Sequence, residues 1–142
     1  METSEVRRRF RAAIERARRD AAERRIRTDE ARRAYDEFLA QRATPLFHQF
    51  AAALKAEGQA FAVFTPAGSL RLASERSSEE FIELILDDSS QPPAVVGRSS
   101  RGRGRRTVSN ERPIGEGKPI AELTEEDVLA YLLEEIVLLV ER

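Results

Sequence analysis

The amino-acid sequence predicts an α+β protein, with a helical N-terminal part, an antiparallel meander of about five strands and one C-terminal amphipathic helix. No proline occurs before Pro45 and no glycine before Gly58, so nothing in the first part of the chain must interrupt a helix. Between residues 60 and 113, short apolar or alternating segments are separated by turns rich in Pro, Gly and Asp. After Thr124, apolar residues recur at helical spacing.

The N-terminal segment, residues 5–43, predicts one long helix or a pair of helices. Val6, Phe10 and Ile14 fall at helical spacing between charged residues, which indicates a narrow apolar stripe on an exposed helix. The stripe shifts near Thr28, a residue type that often begins a helix. We favour a near-continuous helix over two separate ones.

The next helix is predicted from Thr44, as its N-cap, with Pro45 at the first helical position, where the missing N–H group costs nothing. Its apolar residues lie in the range 46–54, and Gly58 is expected to end it. At 142 residues the chain is expected to form a single domain. Within it, residues 1–43 are predicted to be an extended charged helical segment and residues 44–142 an α+β core.

The meander is predicted from five short segments. The third of them is ambiguous, because Ser77 and Glu80 have the spacing of a helical capping box, whereas the apolar run that follows is rich in strand-forming residues. We predict a strand there. The fourth and fifth segments are expected to be joined by a flexible Gly- and Arg-rich loop at 100–104. The predicted strands are 60–64, 69–74, 80–87, 94–99 and 105–112.

The C-terminal helix is expected to begin after Thr124, because acidic residues in a first turn favour the helix dipole. Together with residues 46–54, residues 128–140 are expected to cover one face of the sheet. Residues 137–140 are all apolar and surround the whole helix, so burial on more than one side is predicted. A second copy of the chain is the simplest cover, and the candidate contact residues are Phe10, Ile14, Tyr131, Val137 and Leu138.

Charge is distributed in blocks of opposite sign, although the formal net charge is only −1. Residues 1–44 carry 13 Arg and 9 acidic residues, and residues 98–112 carry 6 Arg and one Glu. Residues 75–91 and 116–142 are acidic, with 6 and 8 carboxylates. A local basic field attracts anionic partners even when the whole protein is mildly acidic.

The Arg-rich segment, residues 98–106, is the main candidate for an anion or nucleic-acid contact. Three interpretations stay open: its arginines pair with the chain's own acidic segments, they bind an acidic protein, or they bind nucleic acid. The aromatic side chains that would stack single-stranded bases are missing between Phe81 and Tyr131. The candidate contacts are Arg98, Arg101, Arg103, Arg105 and Arg106.

No motif for catalysis or for a cofactor is present, and the chain contains no Cys, so disulfides and thiolate metal sites are excluded. His48 is the only histidine, and the sequence identifies no partner for it. Asp87 and Asp88 suit a turn better than a magnesium site. We therefore predict no catalytic, cofactor or metal residues; a small metal-dependent hydrolase would require His48, Asp87 and Asp88 in one cleft.

The sequence favours a non-enzymatic, homo-oligomeric interaction or scaffold protein. The alternative is a nucleic-acid-binding protein that uses the Arg-rich segment and the basic N-terminal helix, and an acidic protein is the other partner considered. No secretory signal and no transmembrane span are recognisable, so a cytoplasmic location without membrane contact is expected.

Overall fold

The computed structural model describes residues 1–140 and confirms the α+β architecture. A long N-terminal helix leads into a second helix, five antiparallel strands follow, and one helix closes the chain. The contacts between residues divide the chain into two units, 1–30 and 31–142, which we call the first and the second contact unit. Among the described residues, no helix is both long and apolar enough to cross a bilayer. The elements are α1 (Thr3–Phe38), α2 (Thr44–Ala56), β1 (Phe61–Phe64), β2 (Ser69–Ser74), β3 (Phe81–Asp87), β4 (Ala94–Arg103), β5 (Arg106–Pro113) and α3 (Glu125–Val140).

Helix α1 is continuous past Thr28, as the favoured interpretation of the sequence predicts. It runs through a π-helical turn, Leu39–Ala43, directly into α2. The prediction that Thr44 caps a new helix is wrong: its backbone is helical, with φ −63° and ψ −47°, and its N–H group donates to the Leu39 carbonyl. This hydrogen bond spans five residues, as in a π-helix, and not the four of an α-helix. The next residue, Pro45, has no N–H group to donate, so the regular α-helical bonds are interrupted at the same place.

The end of α2 follows the prediction. Gly58 has a φ of 82°, in the left-handed region that glycine adopts without strain. Its N–H group donates to the Lys55 carbonyl at 3.0 Å, and the Gln59 N–H group donates to the Leu54 carbonyl at 2.8 Å. This pair of bonds is the Schellman motif, which satisfies the last carbonyls of a helix.

The five strands pair in the order β1-β2-β3-β4-β5, and every neighbouring pair is antiparallel. The ambiguous third segment is a strand, as predicted. Ser77 does not begin a helix; its hydroxyl accepts a hydrogen bond from the Glu79 N–H group in a local turn. The sheet is therefore a simple meander of hairpins.

Strand β4 is longer than predicted, β5 is shifted by one residue, and the expected loop at 100–104 is wrong. The ladder continues to a directly opposed pair, Arg103 and Arg106, and only two residues join the strands. Gly104 supplies the positive φ, 66°, that such a tight hairpin turn requires. The Gly-rich composition therefore marks a regular two-stranded ribbon and not a flexible loop.

One face of the sheet packs against α2 and α3, as predicted. Alternate side chains of the central strands point to this face, and the opposite face carries the charged residues described below. The hydroxyl of Tyr35, near the end of α1, donates to the Gly68 carbonyl at 2.8 Å and lies 3.3 Å from the Leu84 carbonyl, and burial raises the pKa of this hydroxyl. The largest fully buried side chains are Tyr35, Phe38, Phe47, Leu70, Leu72, Ile82, Leu84, Val95, Leu123, Val128 and Leu132.

The contact between α3 and the sheet depends on Gly97 of β4. A Cβ atom at this position would lie within 2.6 Å of the Tyr131 hydroxyl oxygen, so the ring occupies the space that any other residue would fill. Tyr131 is buried there, and burial, followed by the charge of Glu135, raises the pKa of its hydroxyl.

Helix α3 begins with a reciprocal cap, and the predicted N-cap at Thr124 is confirmed. The Asp127 N–H group donates to the Thr124 hydroxyl at 3.2 Å, and the Asp127 carboxylate accepts from the Thr124 N–H group at 2.9 Å. The Lys118 ammonium lies 3.0 Å from both carboxylate oxygens. The Thr124 backbone bond, helped by Lys118, holds the pKa of Asp127 below its usual range.

Gly97→Ala should destabilise the fold by about 3 kcal/mol, since the new methyl group overlaps the Tyr131 ring in a packed layer. Gly102→Ala, in the same strand with open space around the new methyl group, should change stability by less than about 1 kcal/mol. Urea unfolding of the two variants and the parent chain measures both effects. Equal losses at the two positions would show that the Tyr131 contact does not set the requirement for glycine.

Asp127→Asn should lower the free energy of unfolding at neutral pH by about 0.5–1 kcal/mol more than Glu126→Gln does, because only Asp127 accepts from the Thr124 N–H group and pairs with Lys118. A lowered pKa means that the carboxylate stabilises the folded state above its unfolded pKa of about 3.9 and loses that effect as the pH falls through its folded pKa. The gap between parent and variant should therefore close below about pH 4. Glu126→Gln, at an exposed position of the same turn, is the control. A gap that stays constant down to acid pH would refute the role of the charge.

Candidate functional site

The open face of the sheet carries a row of charged residues that alternate in sign across four strands. The strand register places Arg71 of β2 opposite Glu83 of β3, Glu83 opposite Arg98 of β4, and Arg98 opposite Glu111 of β5. Opposite charges on directly facing residues stabilise a sheet. The row therefore reinforces the register of the meander.

Glu83 is the centre of this row and is only 2% exposed. Its Oε2 atom accepts a hydrogen bond from Nε of Arg71 at 2.8 Å and lies 2.7 Å from Nη2 of the same side chain, and its Oε1 atom is bound by Arg98. The Arg71 guanidinium also lies 3.9 Å from the centre of the Phe81 ring. Both oxygens of a buried carboxylate are thus occupied by the protein itself, which leaves Glu83 a structural group.

Arg98 belongs to this row and is therefore apart from the other candidate arginines. It belongs to the middle of β4 and pairs with a buried carboxylate of the acidic segment at 75–91. The interpretation that the arginines pair with the chain's own acids thus describes Arg98. Within residues 1–140, no ion pair is formed by Arg101, Arg103, Arg105 or Arg106.

A second buried carboxylate, Glu135 of α3, lies on the helix-covered side of the sheet. Its Oε1 atom accepts from the Asn110 amide at 3.2 Å and lies 3.7 Å from Nε of Arg112. Arg112 also binds Glu134 and stacks 4.7 Å from the centre of the Tyr131 ring. Glu135 forms part of the wall of a small cavity of about 210 Å³, lined by Ser99, Ser100, Arg101, Val108, Asn110, Glu135, Leu138 and Leu139.

The predicted contact residues on α3 fall on two different sides of the helix. Val137 and Leu138 are exposed, at 53% and 38%, and Leu133 beside them is 53% exposed. Tyr131 is buried against Gly97 and is not available at the surface. Leu133, Val137 and Leu138 form an apolar surface that a single copy of the chain leaves uncovered, and the predicted cover by a second copy stays a prediction. We call this surface the α3 outer face.

The first contact unit, residues 1–30, carries the two remaining candidates for self-association. Phe10 is 65% exposed and Ile14 is half-buried. Both stay candidates, and an uncovered aromatic side chain on a helix is a feature of binding surfaces.

The residues that a hydrolase would need are not gathered into a site. Within residues 1–140, no group of three or more His, Asp or Glu side chains is placed to hold a metal ion. His48 is exposed on α2. Asp87 accepts hydrogen bonds from the Ser89 hydroxyl and N–H group, which lower its pKa, and Asp88 pairs with Arg32. These contacts are those of a turn, as the sequence indicates.

Sequence reasoning missed both buried carboxylates. A signal was present for Glu83, because a single charge between Ile82 and Leu84 in an apolar run marks the opposite face of a strand. For Glu135 the sequence offers no comparable signal, since the acidic segment contains several carboxylates of equal appearance.

Arg98→Ala should cost about 3 kcal/mol of folding free energy, because it leaves a buried carboxylate with one partner instead of two. The matched control is Arg32→Ala, which breaks the surface pair with Asp88, in which both side chains are about half exposed. This control should change stability by less than about 1 kcal/mol. The two losses are measured by urea unfolding, and similar values would contradict a buried role for Glu83.

No protein-family model, no curated protein and no solved structure matches this chain. Any function must therefore be inferred from the chain's own surfaces.

Proposed function

We propose that this protein is a non-enzymatic scaffold that associates with itself through the α3 outer face. The observation that carries the proposal is the exposure of Leu133, Val137 and Leu138 on one side of a helix whose other side is buried. Exposed apolar surface of this kind, beside charged residues, is typical of interaction sites.

A second copy of the chain suits this surface because the same apolar residues would meet across a two-fold axis. Isologous dimers of this type are the commonest soluble oligomers. Helix α3 carries Glu125, Glu126 and Asp127 in its first turn. An antiparallel pair of α3 helices keeps these acidic turns apart and opposes the two helix dipoles, whereas a parallel pair would bring like charges together.

The N-terminal stripe supports the proposal less well. Phe10 and Ile14 lie in one stripe at a spacing of four residues, but three arginines and only one acid border that stripe, namely Arg7, Arg11, Arg18 and Glu15. In a pair formed by two copies, these arginines would repel each other. The proposal therefore rests on α3, and Phe10 and Ile14 stay predictions for a helical partner of any kind.

Val137→Glu should convert the assembled protein to monomer, because it places a charge at the centre of the apolar contact. Sedimentation velocity over a range of protein concentrations measures the change, and we expect the dissociation constant to rise by at least about tenfold. The matched control is Phe64→Glu on β1, where the side chain is 52% exposed and thus equally accessible.

The proposal fails if the parent chain sediments as a monomer at every concentration. It also fails if Val137→Glu assembles like the parent while keeping its melting temperature, or if Phe64→Glu disrupts assembly to the same extent. A low ratio of absorbance at 260 nm to that at 280 nm in the assembled fraction shows that bound nucleic acid does not hold the copies together.

A further inference from the structure

We propose that the tip of the β4–β5 ribbon, residues 101–107, binds double-stranded nucleic acid through Arg101, Arg103 and Arg106. The site does not depend on self-association, because all of its residues belong to one copy of the chain. It also differs from the Arg-rich loop expected from the sequence, since Arg98 is withdrawn into the sheet and the tip is regular strand.

The three arginines share one face of the ribbon. Arg101 and Arg103 are two residues apart in β4, so their side chains point to the same side. Arg106 stands directly opposite Arg103 in the register and therefore joins that face. Gly102 and Thr107, which oppose each other, occupy the other face. The fold thus converts an irregular run of arginines into a cluster with one orientation.

This cluster has a cost in the unbound protein. Like charges on directly opposed residues destabilise a sheet, and Arg103 faces Arg106 with no carboxylate paired to either in the part of the chain that the structure describes. Elsewhere in the same sheet, Arg71, Arg98 and Arg112 each contact an acidic side chain. A polyanion bound at the tip would relieve the repulsion that the chain itself leaves in place.

The dimensions of the tip suit a duplex groove. Two paired strands form a ribbon that the major groove of DNA, about 12 Å wide, can admit. The two-residue turn at Gly104 keeps the end of the ribbon narrow. On the face away from the arginines, the side chain of Gly102 is absent and that of Thr107 is small, so a groove wall can approach closely and the Thr107 hydroxyl can bond to a phosphate.

The composition of the tip favours nucleic acid over an acidic protein. Protein interfaces depend on a few buried apolar or aromatic anchors. Residues 101–107 contain none, and the one apolar side chain beside them is Val108, opposite Arg101, which is 39% exposed. Binding driven by arginine and phosphate needs no such anchor, because the release of counterions supplies the free energy. The same lack of aromatic side chains disfavours single strands, whose bases bind by stacking.

The test uses a labelled DNA duplex of about two helical turns and mixed sequence, with fluorescence anisotropy between about 50 and 200 mM salt. The tip variant is Arg101→Gln with Arg103→Gln and Arg106→Gln. We expect its affinity to fall by at least about tenfold at the lowest salt and its slope of log affinity against log salt to become shallower by about 2.7. Its melting temperature should not fall, since the opposed charges are removed.

The matched control removes three exposed arginines from the first contact unit, by Arg16→Gln, Arg19→Gln and Arg27→Gln. It has the same net charge as the tip variant and should keep the slope of the parent.

Equal losses in both variants would show attraction to charge in general and overturn the assignment to the tip, as would a parent chain that does not bind the duplex at low salt. Stronger binding of poly-glutamate than of the duplex would identify an acidic polypeptide as the ligand and would equally overturn the proposal. Because Arg101 and Leu138 of the α3 outer face line the same cavity, sedimentation velocity of the tip variant checks assembly separately from duplex binding.

Discussion

The close approach of Tyr131 to Gly97 is the contact on which the arrangement of the α+β core depends. Because β4 has no side chain at this position, the ring of α3 lies directly on the backbone of the sheet. That contact fixes which side of α3 is buried, and therefore which side presents Leu133, Val137 and Leu138. A helix seated differently would cover these residues or expose others, so a glycine in a strand determines the composition of a surface on the far side of a helix.

The arginines of the sheet serve two different purposes. Those near its centre, Arg71 and Arg98, compensate a carboxylate that could not otherwise be buried, since an unpaired charge in the interior costs several kcal/mol. The arginines at the tip of the ribbon pair with no carboxylate in the described residues, so their charges can interact with solvent or a ligand. Sequence composition cannot separate the two groups, because Arg98 and Arg101 are neighbours in one Arg-rich run. The strand register separates them, since it places only Arg98 opposite an acid.

The parts of the fold that local patterns determine were predictable from the sequence. Alternation in β2, the apolar run of β3, the glycine at the end of α2 and the cap at Thr124 each act within a few residues, and each was predicted in type. The N-cap at Thr44 and the loop at 100–104 were wrong because longer-range pairing overrode local preference: a preceding helix continued through Thr44, and a ladder continued through Gly102. Burial of Tyr131, Glu83 and Glu135 depends on how α3 lies against the sheet and how neighbouring strands align, which spacing along one segment does not contain.

The order of the strands has a consequence for how this protein folds. Each strand pairs only with its neighbour along the chain, so the whole sheet can form by successive hairpin closures across short stretches of sequence. Pairings between strands that are neighbours along the chain form quickly, because little loop entropy is lost before each one is made. Contacts of higher sequence separation join the helices to the sheet, among them the bonds of Tyr35 with Gly68 and Leu84, 33 and 49 residues away, and the Arg32–Asp88 pair, 56 residues apart. We therefore expect docking of the helical part onto the formed sheet to be the slow step. The hydrogen bonds of the Tyr35 hydroxyl form only when this docking is complete.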